Sequence, residues 1–174
     1  MPVIASDLKY RLSGGAANTS PAASLGGKVS NTEVELSPIL NNIFDDVTAD
    51  QSLAGKTEYR CIYVMNEHAT DGLSAGKIWI AANTPSAGTI IAIGLDPAGV
   101  GDGNTTGEAT TIADEDDVPT GVTFSSPSTE GAALTTAAIP AQEGFAVWIR
   151  RSVSPATEAV ANDPFTLTFK GTPA

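Results

Sequence analysis

The residues able to do chemistry are few and poorly grouped. Cys61 is the only cysteine and His68 the only histidine. A thiol nucleophile needs a base to form its thiolate, and this is the only such pair the chain offers. Cys61 lies inside an apolar run while His68 lies beyond its end, so the expectation is a small buried hydrophobe and a loop histidine. A single cysteine also excludes an intramolecular disulfide and a cysteine-based metal cluster.

Asp96, Asp102, Asn104 and Glu108 offer oxygen ligands in a glycine-rich stretch, the donor type calcium takes. Their spacing does not fit an EF-hand loop, and Gly101-Asp-Gly-Asn104 is ordinary turn chemistry. The four adjacent acids Asp114–Asp117 read as a solvated turn. Gly72-Leu-Ser-Ala-Gly76 matches the Gly-x-Ser-x-Gly elbow of serine hydrolases, yet that elbow leads from a strand into a helix. Here a strand follows, and His68 precedes Ser74, against that family's order. Paired carboxylates for glycoside hydrolysis can always be chosen among 20 acidic residues, so they discriminate nothing. The glycine-rich stretches lack the Lys-Ser/Thr ending of a phosphate loop. Arg150-Arg151 point to opposite faces of a strand, one of them reading as half of an ion pair. Trp79 and Trp148 lie in strong strands and read as core in preference to a sugar-stacking platform. No catalytic, cofactor-binding or metal-binding residue is assigned, and the expectation is a protein that is not an enzyme and holds no cofactor.

Composition narrows the partners. The formal charge is −11, from 20 acidic and 9 basic residues. Nucleic-acid and anionic-membrane contacts need clustered Lys and Arg, and none are clustered here, so neither partner is expected. The start, Met-Pro-Val-Ile-Ala-Ser-Asp, has no secretion-signal pattern, and no apolar run approaches the ~18 residues of a membrane span. Synthesis in a cytoplasm is the expectation. Asn18-Thr-Ser and Asn104-Thr-Thr match the glycosylation sequon and read as accidental without a secretory route.

The elements that must carry these residues are strands. The 174 residues suffice for one domain. Residues 57–66 form the densest β-branched and aromatic run and predict a central strand. Tyr59, Cys61, Tyr63 and Met65 fall on one face, Arg60, Ile62 and Val64 on the other, so both faces are covered. Further strands are expected at 6–12, 76–82, 89–95, 108–112, 121–124, 133–139, 144–153 and 163–170, with a hairpin between 76–82 and 89–95. In the last strand Phe165, Leu167 and Phe169 should face inward. Residues 13–27 have almost no large side chains, and residues 36–47 carry helical spacing interrupted by Pro38, which predicts a short helix or irregular turn. About eight strands with turn residues between them predict an all-β, antiparallel β-sandwich, jelly-roll or immunoglobulin-like, over residues 36–174, preceded by an extended N-terminal arm over 1–35.

Three blocks carry a resemblance: Tyr10-Arg-Leu-Ser-Gly-Gly-Ala-Ala-Asn-Thr-Ser-Pro-Ala-Ala-Ser-Leu-Gly-Gly27; Phe44-Asp-Asp-Val47 with Glu58-Tyr-Arg-Cys-Ile-Tyr-Val-Met-Asn66; and Val147-Trp-Ile-Arg-Arg-Ser-Val153 with Asn162-Asp-Pro-Phe-Thr-Leu167. Together they resemble small virion structural proteins of tailed bacteriophages. The resemblance implies a capsid decoration, or cement, protein on the exterior of the virion head, with the major capsid protein as partner and a homo-oligomer, a trimer, as the working form. The alternatives are a tail or baseplate adaptor and a host-glycan-binding module, the latter requiring an exposed tryptophan.

Overall fold

The computed structural model describes residues 2–36, 40–160 and 162–174. Its elements in chain order are β1 (Leu8–Ser13), β2 (Gly26–Gly27), β3 (Val29–Glu33), α1 (Ala49–Ala54), β4 (Lys56–Asn66), β5 (Leu73–Ala82), β6 (Thr89–Gly101), β7 (Ala109–Thr111), β8 (Leu134–Thr135), β9 (Gly144–Val153) and β10 (Thr166–Pro173). Every strand pairing is antiparallel. The expected all-β class holds. No helix among the described residues is long and apolar enough to cross a membrane.

The largest sheet has the order β3-β1-β4-β9-β6, and β4, the strand expected at its centre, lies there. Its alternation divides the interior. Ile62 and Val64 join Val147, Ile149, Ile91 and Ile93 in one apolar cluster, which also takes Ile78 and Ile80 from the three-stranded sheet β10-β5-β8. Phe165, Leu167 and Phe169 pack on this cluster as their spacing predicts. Tyr59, Cys61, Tyr63 and Met65 join Ala146 and Trp148 on the opposite face. There the cover is the ribbon of β2 and β7 together with Leu25, Ile112, Val122 and Phe124. Gly26 shows how close this ribbon lies: a Cβ there would sit 1.8 Å from the Thr110 carbonyl oxygen and 2.9 Å from Trp148 Cζ2. Only glycine fits.

Two expectations are corrected. The arm expected over residues 1–35 does not run free over another surface among the described residues; β1 pairs with β4 from Leu8↔Asn66 to Leu12↔Ile62, and β3 pairs with β1. The reason is that β4 has an open edge, and Leu8, Tyr10 and Leu12 supply the alternation that covers the core on that side. The small-residue stretch that follows is held by its own polar groups: Asn18 Nδ2 donates to the Ser13 carbonyl and the Ser30 hydroxyl donates to the Asn18 carbonyl.

The hairpin expected between 76–82 and 89–95 does not form either, because β5 and β6 belong to different sheets. At their junction the Asn83 side chain takes the place of a partner strand, its amide donating to the Ile91 carbonyl at 2.9 Å and its oxygen accepting the Ile91 N–H at 3.0 Å. Between 36 and 47, Pro38 and Ile39 lie outside the described residues, and residues 40–47 form turns and bends with no helix. The helix comes just later. Thr48 caps α1, its hydroxyl accepting the Gln51 N–H while the Gln51 side chain accepts the Thr48 N–H, the reciprocal pattern encoded in Thr-x-x-Gln.

Candidate functional site

The candidate nucleophile and base are both occupied. Cys61 is 0% exposed in the second apolar cluster, and burial pushes its thiol well above the ordinary range. A thiolate is disfavoured there. His68 closes a turn, its Nδ1 accepting the Asp71 N–H at 2.9 Å and the Thr70 N–H at 3.3 Å. Ser74, the serine of the elbow-like motif, lies in β5 and donates to the Thr172 carbonyl.

The oxygen-rich loop is likewise spent on its own backbone. Asp102 Oδ1 accepts the N–H groups of Asn104, Thr105 and Thr106 at 2.7–2.9 Å, and those bonds, Thr106 first, lower its carboxyl to about 2. Asp96 accepts the Thr110 N–H and the Trp148 Nε1–H at 2.9 Å through one oxygen, and the Ala98 N–H through the other. A buried carboxylate thus anchors a fully buried indole. The two tryptophans differ: Trp148 is core as expected, whereas Trp79 is half-buried. Its neighbours Ile78 and Ile80 face the core, so Trp79 lies on the other side of β5.

One ionic cluster was not foreseen. Glu58 and Arg60 share the inner face of β4 with Ile62, and each is 1% exposed. Arg151, opposite Glu58 in the β4–β9 register, donates through Nε to Glu58 Oε1 at 2.5 Å and through Nη2 to the Asp45 carbonyl at 2.7 Å. Arg60 donates to Glu115 and, at 3.0 Å, to the Tyr59 carbonyl. The Phe44 ring covers both guanidiniums, 4.7 Å from that of Arg151 and 5.6 Å from that of Arg60. Burial raises the Glu58 carboxyl despite Arg151. Glu115 moves the other way: its burial is outweighed by hydrogen bonds from Arg60 and Lys56, which hold it below the usual carboxylate range. Asp45, Glu58 and Glu115 bring oxygens within 4.8 Å of one another. Arg60, Arg151 and Lys56 already pair with those three carboxylates, which makes the cluster an internal ion network in place of a metal cradle. Arg150 leaves for the opposite face and lies 5.2 Å over the Phe124 ring. The expected ion pair of the Arg150-Arg151 dipeptide is therefore Arg151–Glu58, within one chain.

Phe44 also forms part of the wall of a cavity of about 1180 Å³ beside this network. The first apolar cluster provides its floor through Ile62, Ile91 and Ile149, and residues within 35–36, 40–53, 156–160 and 162–167 form its rim.

The chain matches no family model, no curated protein and no solved structure.

Sequence reasoning missed the ion network because it placed Arg60 on a covered face with Ile62 and Val64 but gave neither Arg60 nor Glu58 a partner. The available signal was their common parity with Ile62, which puts both on a face that must be covered.

Proposed function

We propose that this chain is an assembly component of a virus particle, a decoration protein that binds the exterior of a tailed-phage head through protein–protein contacts. One observation carries the reading. Leu36, Leu40, Leu53 and Val160 are 77%, 68%, 71% and 48% exposed and all line the same cavity. A concentration of exposed apolar side chains around one concavity marks an interaction surface. The groups with catalytic potential, by contrast, are engaged by the fold itself, as Cys61, His68, Asp96 and Asp102 show.

The partner in this reading is the major capsid protein, with further copies of the chain meeting around a symmetry axis as a trimer. Repeated weak contacts gain strength from that multiplicity, while the −11 charge keeps crowded particles apart. We read the two sheets that share the first apolar cluster as a β-sandwich serving as a rigid spacer. With β1 and β3 built into the large sheet, the contact with the shell falls to the cavity rim.

The test is the number and position of copies on assembled virions, from a cryo-electron microscopy map with quantitative gel densitometry. Many copies over the icosahedral head are expected; a few copies confined to the tail would replace decoration with an adaptor role. The half-buried Trp79 favours a second reading, a host-glycan module. Glycan-array binding lost in Trp79→Ala would support it.

A further inference from the structure

The rim of the cavity has a charge pattern as well as an apolar one. Among the described residues its lining carries the carboxylates Glu35, Asp45, Asp46, Glu158 and Asp163 against a single cation, Arg151. That cation is already paired with Glu58. The surface left to a partner is therefore apolar at its centre and negative around it. At about 1180 Å³ the cavity is larger than the roughly 300–1,000 Å³ of small-molecule sites, and its exposed rim leucines offer contacts at several separated points. That geometry suits a peptide segment with spaced apolar anchors.

We infer that this groove docks a basic amphipathic segment of a partner protein, an apolar stripe flanked by Lys and Arg. The inference rests on the assembly reading above and names the surface and the chemistry of the contact. The apolar anchors would cover Leu36, Leu40, Leu53 and Val160, while the partner's cations would face the rim carboxylates. Complementary charge directs such an encounter and rejects acidic competitors.

The probe is a labelled synthetic amphipathic helix of Leu and Lys, titrated against the full chain by fluorescence anisotropy, with a Leu/Glu helix of the same pattern as control. Saturable binding of the basic helix is expected, with the acidic helix at least about tenfold weaker. Leu40→Ser with Val160→Ser should weaken binding by about tenfold or more, since exposed apolar anchors carry the contact. Asp46→Lys with Glu158→Lys should do so too; Asp45 and Asp163 are left intact because they hold Arg60 and the Ser86 N–H. Circular dichroism confirms that the variants fold. No binding of the basic helix, equal binding of the acidic one, or indifference to both double substitutions would overturn the inference.

Sedimentation velocity adds a separate arm. Self-association abolished by Leu40→Ser with Val160→Ser would make the occupant a second copy and overturn a foreign segment. Head occupancy separates this inference from the reading beneath it. Double variants that lose the peptide but still decorate heads sink the groove as the shell contact and leave decoration standing, whereas wild-type chain that never binds heads sinks decoration.

Discussion

At the residue scale the informative side chains are the polar ones placed where apolar ones belong. Glu58 is buried against Arg151 and near Arg60, so removing the carboxylate strands a guanidinium beneath the Phe44 ring. Glu58→Ala should destabilise the fold by about 3 kcal/mol, in the range for breaking a buried pair. Glu58→Gln keeps an acceptor for Arg151 and removes a charge that burial disfavours, so about 1 kcal/mol is expected. Urea unfolding of both variants checks this, and Gln as costly as Ala would contradict it.

Asp102 gives a pH signature of defined sign. Its carboxyl moves down from 3.8 to about 2 on folding, so it contributes stability that is present above about 3.8 and is lost as pH falls through about 2. Melting temperature against pH should therefore fall less steeply across that window in Asp102→Asn than in the wild type. Parallel curves would show that the loop bonds do not depend on the charge.

At the element scale the N-terminal segment matters most. Leu12 is 2% exposed in β1 and packs in the main apolar cluster, and Leu12→Ala should cost about 2–4 kcal/mol by urea unfolding. Deleting residues 2–34 should do more. It removes β1 and β3 and bares the edge of β4, so the expected outcome is loss of the cooperative transition and association by size exclusion. A truncated chain that melts at the wild-type temperature would restore the free arm. Local pattern was legible for β4, β9 and β10, whose alternation predicts which side chains meet which layer. The partner of β5 was not legible. Adjacent strands in sequence usually pair, but Asn83 satisfies Ile91 in place of a strand, and that is a tertiary arrangement.

At the scale of the whole molecule, the large sheet is covered on both faces, by β10-β5-β8 on one and by β2-β7 with its loops on the other. The cavity lined by Leu36, Leu40, Leu53 and Val160 is apolar and acidic at once. Surface charge there has a role beyond solubility if the groove receives a basic segment. Loops 40–48 and 154–160 contribute to that rim without regular strand structure, the setting in which binding residues are commonly found.

The sequence by itself determined the all-β class, the two-faced central strand, the inward face of the last strand and the net negative charge. These depend on residue type and on a period of two, both local properties. Only the tertiary structure decided that β1 and β3 complete the large sheet, that Glu58, Arg60 and Arg151 meet under Phe44, and that four exposed apolar residues line one cavity. Each of these joins residues far apart in the chain: Arg151 and Glu58 are 93 positions apart. Such meetings depend on which strand edges find each other, and strand alternation is the same whichever partner is found.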